Sequence, residues 1–118
     1  MKKRFNFLII FACFVLTGWI DPSYDKTQEG NRLYEEGKFD EAISKYVDAQ
    51  LETPESSVLD FNIADAQYRN GKFDEAIAAY ERAISNTKDI ELEAKANYNI
   101  ANALYKQGKP KEALDKYK

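Results

Sequence analysis

The sequence contains no histidine, and its single cysteine, Cys13, lies in an apolar stretch near the amino terminus. Imidazole and thiolate groups supply most zinc ligands and many of the nucleophiles and general bases of enzymes. The glycines stand singly, so no glycine-rich phosphate loop is present either. We therefore predict a protein that is not an enzyme, with no catalytic residues, no metal and no cofactor.

A strongly basic surface is also lacking. The chain has 17 Lys and Arg against 20 Asp and Glu, a net charge of −3. Without the basic cluster at residues 2–4 the balance is 14 against 20, or −6. Because nucleic-acid-binding proteins need a positive surface, we predict no nucleic acid partner. A length of 118 residues allows one modest domain.

The first 20 residues have the layout of an export signal. Lys2, Lys3 and Arg4 precede the apolar run FNFLIIFACFVLTGWI, residues 5–20, which polar residues follow. The run is short for a membrane-spanning helix and no small-x-small cleavage site follows it. We therefore expect residues 1–20 to be either a cleaved signal peptide or an amino-terminal membrane anchor. In both cases the positive end stays in the cytoplasm and the rest is exported.

After the apolar run, the sequence has a helical pattern that glycines interrupt at regular intervals. The heptapeptide GKFDEAI occurs at residues 37–43 and 71–77, and GKPKEAL occurs at 108–114. Each glycine suits the end of one helix, and the acidic residues that follow suit the first turn of the next. We interpret these acids as solvated helix starts rather than as acid-base catalysts. At residues 53 and 54, Thr53 is expected to cap a helix whose first turn contains Pro54.

The glycines Gly37, Gly71 and Gly108 are 34 and then 37 residues apart. A 34-residue helix-turn-helix period is typical of the tetratricopeptide repeat (TPR), and the chain resembles that family. The resemblance predicts an all-α fold, an α-α superhelix or solenoid of two and a half to three repeats at residues 23–56, 57–90 and 94–118. Small residues are expected where paired helices cross, and tyrosines between hairpins. These positions hold Gly30, Ala64, Ala101, Ala42, Ala76, Ala113, Ala49 and Ala83, with Tyr46, Tyr80 and Tyr117 as the tyrosines.

The third repeat departs from the pattern in three ways. Three additional residues precede it, so we expect either a rotated third hairpin or a longer first helix. Pro110 stands where Phe39 and Phe73 supply an aromatic ring, which suits a helix start but loses packing. The sequence ends at Lys118 without a polar capping helix, which predicts either a longer natural chain or a partner that covers this face.

The resemblance implies that the first helices of the hairpins line a concave groove for a partner peptide or helix. The tyrosines at the same place in each repeat, Tyr34, Tyr68 and Tyr105, form either an aromatic strip in the groove or part of the packing between helices. The predicted groove residues are Asn31, Tyr34, Phe61, Asn62, Asp65, Tyr68, Arg69, Lys95, Tyr98, Asn99, Asn102 and Tyr105.

Some members of the family hold a partner's carboxy terminus with two asparagines and three basic residues. Asn31, Asn62 and Lys95 occupy matching positions, whereas Thr27 and Asn99 stand where the other two bases would lie. Because a carboxylate requires several charge-assisted donors, this predicts a weakened clamp.

The segment IELEAKANYNIANALYKQGK at residues 90–109, which leads into the third repeat and contains most of its first helix, resembles the TPR proteins of bacterial Bat (aerotolerance) operons, which accompany von Willebrand A-domain membrane proteins. This resemblance implies an exported scaffold of the bacterial envelope, periplasmic or anchored at the outer face of the inner membrane, whose only membrane contact is its amino-terminal segment. Its partner would be a protein or peptide, such as an A-domain protein. The alternative is a structural assembly unit that joins another chain through the open face of repeat three.

Overall fold

The computed structural model describes residues 22–118, and the predicted leader at residues 1–20 lies outside them. The described chain is entirely helical, which confirms the all-α prediction. Its helices are α1 (Pro22–Glu35), α2 (Phe39–Glu52), α3 (Ser57–Arg69), α4 (Phe73–Ser85), α5 (Ile90–Lys106) and α6 (Pro110–Tyr117). Each helix packs mainly on the helices before and after it. None of these helices combines the length and the apolar character that crossing a membrane requires.

The repeated glycine forms the joint of each hairpin, as predicted. Gly37 has a φ angle of 76°, in the left-handed region that glycine adopts without strain. Its N–H donates to the Tyr34 carbonyl at 3.0 Å, and Lys38 N–H donates to the Leu33 carbonyl at 2.9 Å. This pair of bonds is a Schellman motif, which satisfies the last carbonyls of α1 and reverses the chain. The same two bonds recur at the turns around residues 71 and 108.

Small residues lie at the helix crossings, which confirms that prediction. Ala42, Ala49, Ala76 and Ala83 have no exposed surface. At Gly30 a Cβ atom would stand 2.6 Å from the Tyr46 ring, well inside van der Waals contact. The two helices of a hairpin therefore approach so closely that a larger side chain would force them apart.

Polar contacts also join successive hairpins. Asn70 Nδ2 donates to Asp40 Oδ1 at 3.0 Å, and Gln107 Nε2 donates to Asp74 Oδ1 at 2.6 Å. In both cases the residue before a turn glycine donates to an aspartate in the first turn of the second helix of the preceding hairpin. The aspartates of the repeated heptapeptide, interpreted from sequence as solvated helix starts, therefore also form hydrogen bonds between stacked hairpins.

Asp60, at the start of α3, is a buried carboxylate that links three elements. It accepts hydrogen bonds from Gln50 Nε2 at 2.8 Å, from Asn86 Nδ2 at 3.3 Å and from Arg82 Nε at 3.5 Å. A buried charge is tolerated only when such donors surround it. Asp60 therefore holds α2, α3 and the end of α4 together.

The predicted start of α3 at Thr53 and Pro54 is wrong. Thr53 ends α2, because its N–H and its hydroxyl both donate to the Ala49 carbonyl, at 3.2 and 3.3 Å. Helix α3 begins at Ser57, and Ser56 is its cap, with Oγ accepting from Leu59 N–H at 3.2 Å. A residue that precedes proline is driven away from helical angles, so Pro54 ends one helix instead of starting the next.

The third hairpin shows which of the two expected adjustments occurs. Helix α5 has 17 residues where α3 has 13, so the additional residues lengthen the first helix of the hairpin. Its cap is Asp89, whose carboxylate accepts from Glu91 N–H at 3.0 Å. Helix α6 begins at Pro110, as the position of the proline predicts.

Candidate functional site

Two pockets lie between the first helices of the hairpins. The first groove pocket, between α1 and α3, has a volume of about 300 Å³ and is lined by Asn31, Tyr34, Glu35, Tyr46, Asn62 and Asp65. The second groove pocket, between α3 and α5, has a volume of about 430 Å³ and is lined by Phe61, Ala94, Lys95, Tyr98 and Asn99. These pockets bring together eight of the predicted groove residues, four in each.

A tyrosine from the second helix of each hairpin donates its hydroxyl hydrogen to the groove side of the first. Tyr46 donates to Asn31 Oδ1 at 2.7 Å, Tyr80 to Asp65 Oδ1, and Tyr117 to Asn102 Oδ1. The acceptor always precedes the tyrosine by 15 residues. Asn31, Asp65 and Asn102 are therefore structural acceptors as well as groove residues, a role that the constant spacing could have indicated.

Asp65 is the most constrained of these acceptors. Its Oδ1 also accepts from Asn99 Nδ2 at 3.4 Å, which joins the second hairpin to the third. Burial raises the pKa of Asp65 above its ordinary value, while the hydrogen bonds from Tyr80 and Asn99 and the charge of Arg69 act in the opposite direction. Burial and the Asp65 carboxylate likewise raise the pKa of Tyr80, so its hydroxyl remains a donor across the ordinary pH range.

The three equivalent tyrosines do not form a uniform aromatic strip. Tyr34 and Tyr68 each pack edge-on against the phenylalanine that begins the next helix, with ring centroids 5.5 Å and 5.4 Å apart. Tyr34 also lines the first groove pocket, whereas Tyr68 lines neither pocket. In the third hairpin Pro110 stands in place of that phenylalanine, and Tyr105 is 65% exposed and lies outside both pockets.

Arg69 and Asn102 also lie outside the two pockets. The Arg69 guanidinium is 5.6 Å from the centre of the Tyr34 ring and 5.5 Å from that of Phe39. A cation over an aromatic face is attracted by the ring quadrupole, so Arg69 links the first and second hairpins. Of the lining residues, Glu35, Tyr46 and Ala94 are outside the list of predicted groove residues: Glu35 follows Tyr34 on α1, Tyr46 is on a second helix, and Ala94 carries no chemical signal.

The residues that match the carboxylate clamp are divided between the pockets. Asn31 and Asn62 line the first, but Lys95 lines the second, where its Nζ is 3.2 Å from Glu91 Oε1. The first pocket instead contains two carboxylates, Glu35 and Asp65. Thr27 lines neither groove pocket. It borders a separate hollow of about 600 Å³ with Tyr24 and Val58 near the start of α1.

Among residues 22–118, no group of acidic, histidine or cysteine side chains has an arrangement suited to a metal ion. Of the groove carboxylates, Asp65 is held by the hydroxyl of Tyr80 and the amide of Asn99, as described above. The chemistry that the two pockets offer is recognition by hydrogen bonds, charge and apolar contact.

Comparison with known proteins identifies the same architecture. Residues 27–87 and 61–118 match the tetratricopeptide repeat family. No curated protein sequence matches the chain.

Solved structures resemble it closely. The amino-terminal domain of stress-induced protein-1 (STI-1) from C. elegans has a TM-score of 0.75 and 26% identity over 80% of this chain and 77% of that one. The second TPR domain of Spaghetti (RPAP3), bound to the HSP90 peptide SRMEEVD, has a TM-score of 0.71 and 25% identity over 80% of this chain and 85% of that one. A MamA mutant shares the fold, with a TM-score of 0.71 and 24% identity over 85% of this chain and 71% of that one.

Proposed function

Because the chain belongs to the tetratricopeptide repeat family, we propose that it is a non-catalytic scaffold of the bacterial envelope that binds a segment of a partner protein in its concave groove. The observation that carries the proposal is the pair of groove pockets, which lie side by side on the first helices and offer both charged and apolar contacts. An extended or helical segment laid across these helices would contact both pockets. The Spaghetti domain, which has the same fold, is bound to a peptide.

Site-specific photo-crosslinking in cells tests this proposal. A benzophenone side chain in place of Tyr98, which is 58% exposed and lines the second groove pocket, should yield a crosslinked protein partner. Val47 provides the control, because it is 44% exposed on α2 and lines neither groove pocket. Equal crosslinking from both positions, or none from position 98, would contradict binding in the groove.

The export signal and the Bat resemblance support a location outside the cytoplasm and a von Willebrand A-domain membrane protein as the partner. Residues 2–4 and 5–20 carry this expectation, and they lie outside the described residues. An alkaline phosphatase fused after Lys118 should be active in cells and inactive once residues 2–20 are deleted. Activity that survives the deletion would refute export by the leader.

The second candidate is a structural unit that joins another chain through the third hairpin. Its support is the exposed apolar surface of α6, where Leu114 and Tyr117 are 58% and 45% exposed. Light scattering after size exclusion on residues 21–118 distinguishes the candidates. A monodisperse monomer would exclude obligatory self-assembly and leave groove binding unaffected.

A further inference from the structure

The groove pockets differ in chemistry, and from this difference we infer the kind of partner they fit. We propose that the first groove pocket receives a lysine or arginine side chain of a partner segment, while an aromatic or apolar side chain of the same segment occupies the second. This inference rests on the proposed binding role of the groove and names its ligand class.

The first groove pocket is arranged for a cation. Glu35 and Asp65 contribute two carboxylates to its lining, which also includes Tyr34 and Tyr46. Both hydrogen bonds to Asp65, from Tyr80 and Asn99, end on Oδ1, which leaves Oδ2 outside that network. A partner ammonium or guanidinium would gain charge-assisted hydrogen bonds to the two carboxylates.

The chain itself already places one cation beside this pocket. Arg69 lies over the Tyr34 ring, and its charge interacts with Asp65. Since its guanidinium is 5.5 Å from the Phe39 ring centre as well, Arg69 is positioned at the α1–α2 turn rather than among the lining residues. Two carboxylates against one guanidinium leave a negative charge, which an entering cation neutralises.

The first groove pocket is less suited to the carboxylate of a partner's carboxy terminus. Such a carboxylate would meet Glu35 and Asp65, and Lys95 lies in the other pocket beside Glu91. The overall charge acts in the same direction, because residues 21–118 carry 14 basic against 20 acidic side chains. A negative protein attracts positive partners over distances of about a Debye length, roughly 8 Å at physiological salt.

The second groove pocket determines the rest of the ligand. Phe61, Ala94 and Tyr98 give it a mostly apolar lining, to which Lys95 and Asn99 add a polar edge. The pockets lie on opposite sides of α3, and a helix with its side chains is about 10 Å wide. An extended chain advances about 3.3 Å per residue, so a basic and an aromatic residue roughly three positions apart span the two pockets.

Fluorescence anisotropy with blocked peptides tests the inference on residues 21–118, which contain all six described helices. The probe is dye-labelled GSKGSFGS with an amidated carboxy terminus, and the comparison peptides carry glutamate or glutamine in place of lysine. We expect the lysine peptide to bind at least about fivefold more tightly than the glutamine peptide, with the glutamate peptide weakest, and this order to fade at high salt. Equal affinities, a preference for glutamate, or no binding of any of them at about 1 mM would overturn the inference.

Single-residue variants test whether the preference for lysine arises in the first groove pocket. Asp65→Asn should retain the fold, because Asn31 and Asn102 accept the equivalent tyrosine hydroxyl in the other hairpins. It should weaken the lysine peptide several-fold and leave the glutamine peptide unchanged, as should Glu35→Gln. Glu75→Gln removes an exposed acid on α4 and serves as the control. If Glu75→Gln weakens the lysine peptide as much as Asp65→Asn does, the effect is general charge and the inference is wrong.

Tyr98→Ala separates the inference from the proposed function. It should weaken all peptides that bind in the groove, whatever their charge. If all three peptides bind equally and all depend on Tyr98, groove binding stands and the cation preference falls. If they bind but none depends on Tyr98, both fall.

Discussion

The second and third hairpins follow the same sequence pattern, yet equivalent residues experience different surroundings. Tyr80 and Tyr117 occupy the same place and both donate to a groove side chain, but Tyr80 is 1% exposed and Tyr117 is 45% exposed. The second hairpin is covered on both sides, whereas within the described residues the third is covered only by the second. A repeat position thus specifies which contact a residue makes, and the neighbouring repeat determines how much that contact contributes.

The junction of the two helices differs in the same manner. In the second hairpin Tyr68 packs against Phe73 and is half-buried, while in the third a proline, Pro110, replaces the phenylalanine and Tyr105 is largely exposed. Proline sets the backbone angle of a first helical turn, but its ring cannot provide an aromatic edge. The third hairpin therefore has less packing at its turn as well as at its outer face.

Truncating the paired tyrosines should give the largest difference between the hairpins. Tyr80→Ala empties a buried site and is expected to cost about 3–5 kcal/mol of unfolding free energy, as large aromatic truncations do. Tyr117→Ala removes a half-exposed ring and should cost less than about 1 kcal/mol. Urea denaturation followed by circular dichroism measures both. Similar losses would show that the third hairpin is covered as completely as the second.

Enlarging the crossing alanines should give an intermediate effect. Ala76 has no exposed surface, so Ala76→Leu should overpack the α3–α4 crossing and cost about 1–3 kcal/mol. Ala113→Leu should cost less, because α6 can move outward with no described helix packed beyond it. The midpoints of thermal unfolding of the two variants test this order, and an unchanged midpoint for Ala76→Leu would refute the close crossing.

Restoring the missing aromatic should make the third hairpin more like the second. Pro110→Phe would allow an edge-on contact with Tyr105 like that between Tyr68 and Phe73, and should add about 0.5–1 kcal/mol to stability. The reverse change in the second hairpin, Phe73→Pro, serves as the matched control and should destabilise. A loss of stability in Pro110→Phe would mean that the rigid proline contributes more than the ring would.

These comparisons also show what the sequence can predict. The glycine turns and the small residues at the crossings depend on neighbouring residues and on a fixed period, so pattern reasoning found them. The cap of α3 was missed because Thr53 and Ser56 both satisfy the local rules, and the bonds from Thr53 to Ala49 decide between them. The donors around Asp60 come from helices brought together only by stacking, which no local pattern describes.

The groove residues likewise divide into features that the repeat period predicts and features that only the packing of the hairpins determines. Its positions follow from the period, so the sequence placed Asn31, Asn62, Asp65 and Lys95 on the correct helices. Which of them share a pocket depends on how the hairpins stack: Lys95, on the third hairpin, lines a different pocket from the two asparagines. The charge of the first pocket likewise became visible only when Glu35 and Asp65, from different repeats, were found to line it together.

The acceptors of the tyrosine hydroxyls provide the finest comparison, because the second hairpin uses an aspartate where the first and third use asparagines. The pKa of Asp65 is raised in the folded protein, chiefly by burial. The contribution of the Asp65 carboxyl to folding stability is therefore fully present below its ordinary pKa of 3.8 and is lost as the pH rises through the raised pKa of the folded protein.

The variant Asp65→Asn keeps the hydrogen bond without the charge. Its unfolding free energy relative to that of the natural protein should therefore increase by a small amount as the pH rises above 3.8, and Glu75→Gln is the control for removing a charge. Urea midpoints measured from acid to neutral pH should diverge for Asp65→Asn. Parallel curves would mean that Tyr80, Asn99 and Arg69 together offset the full free-energy cost of burying the Asp65 carboxylate. The aspartate of the second hairpin would then be no less favourable than the asparagines of the first and third.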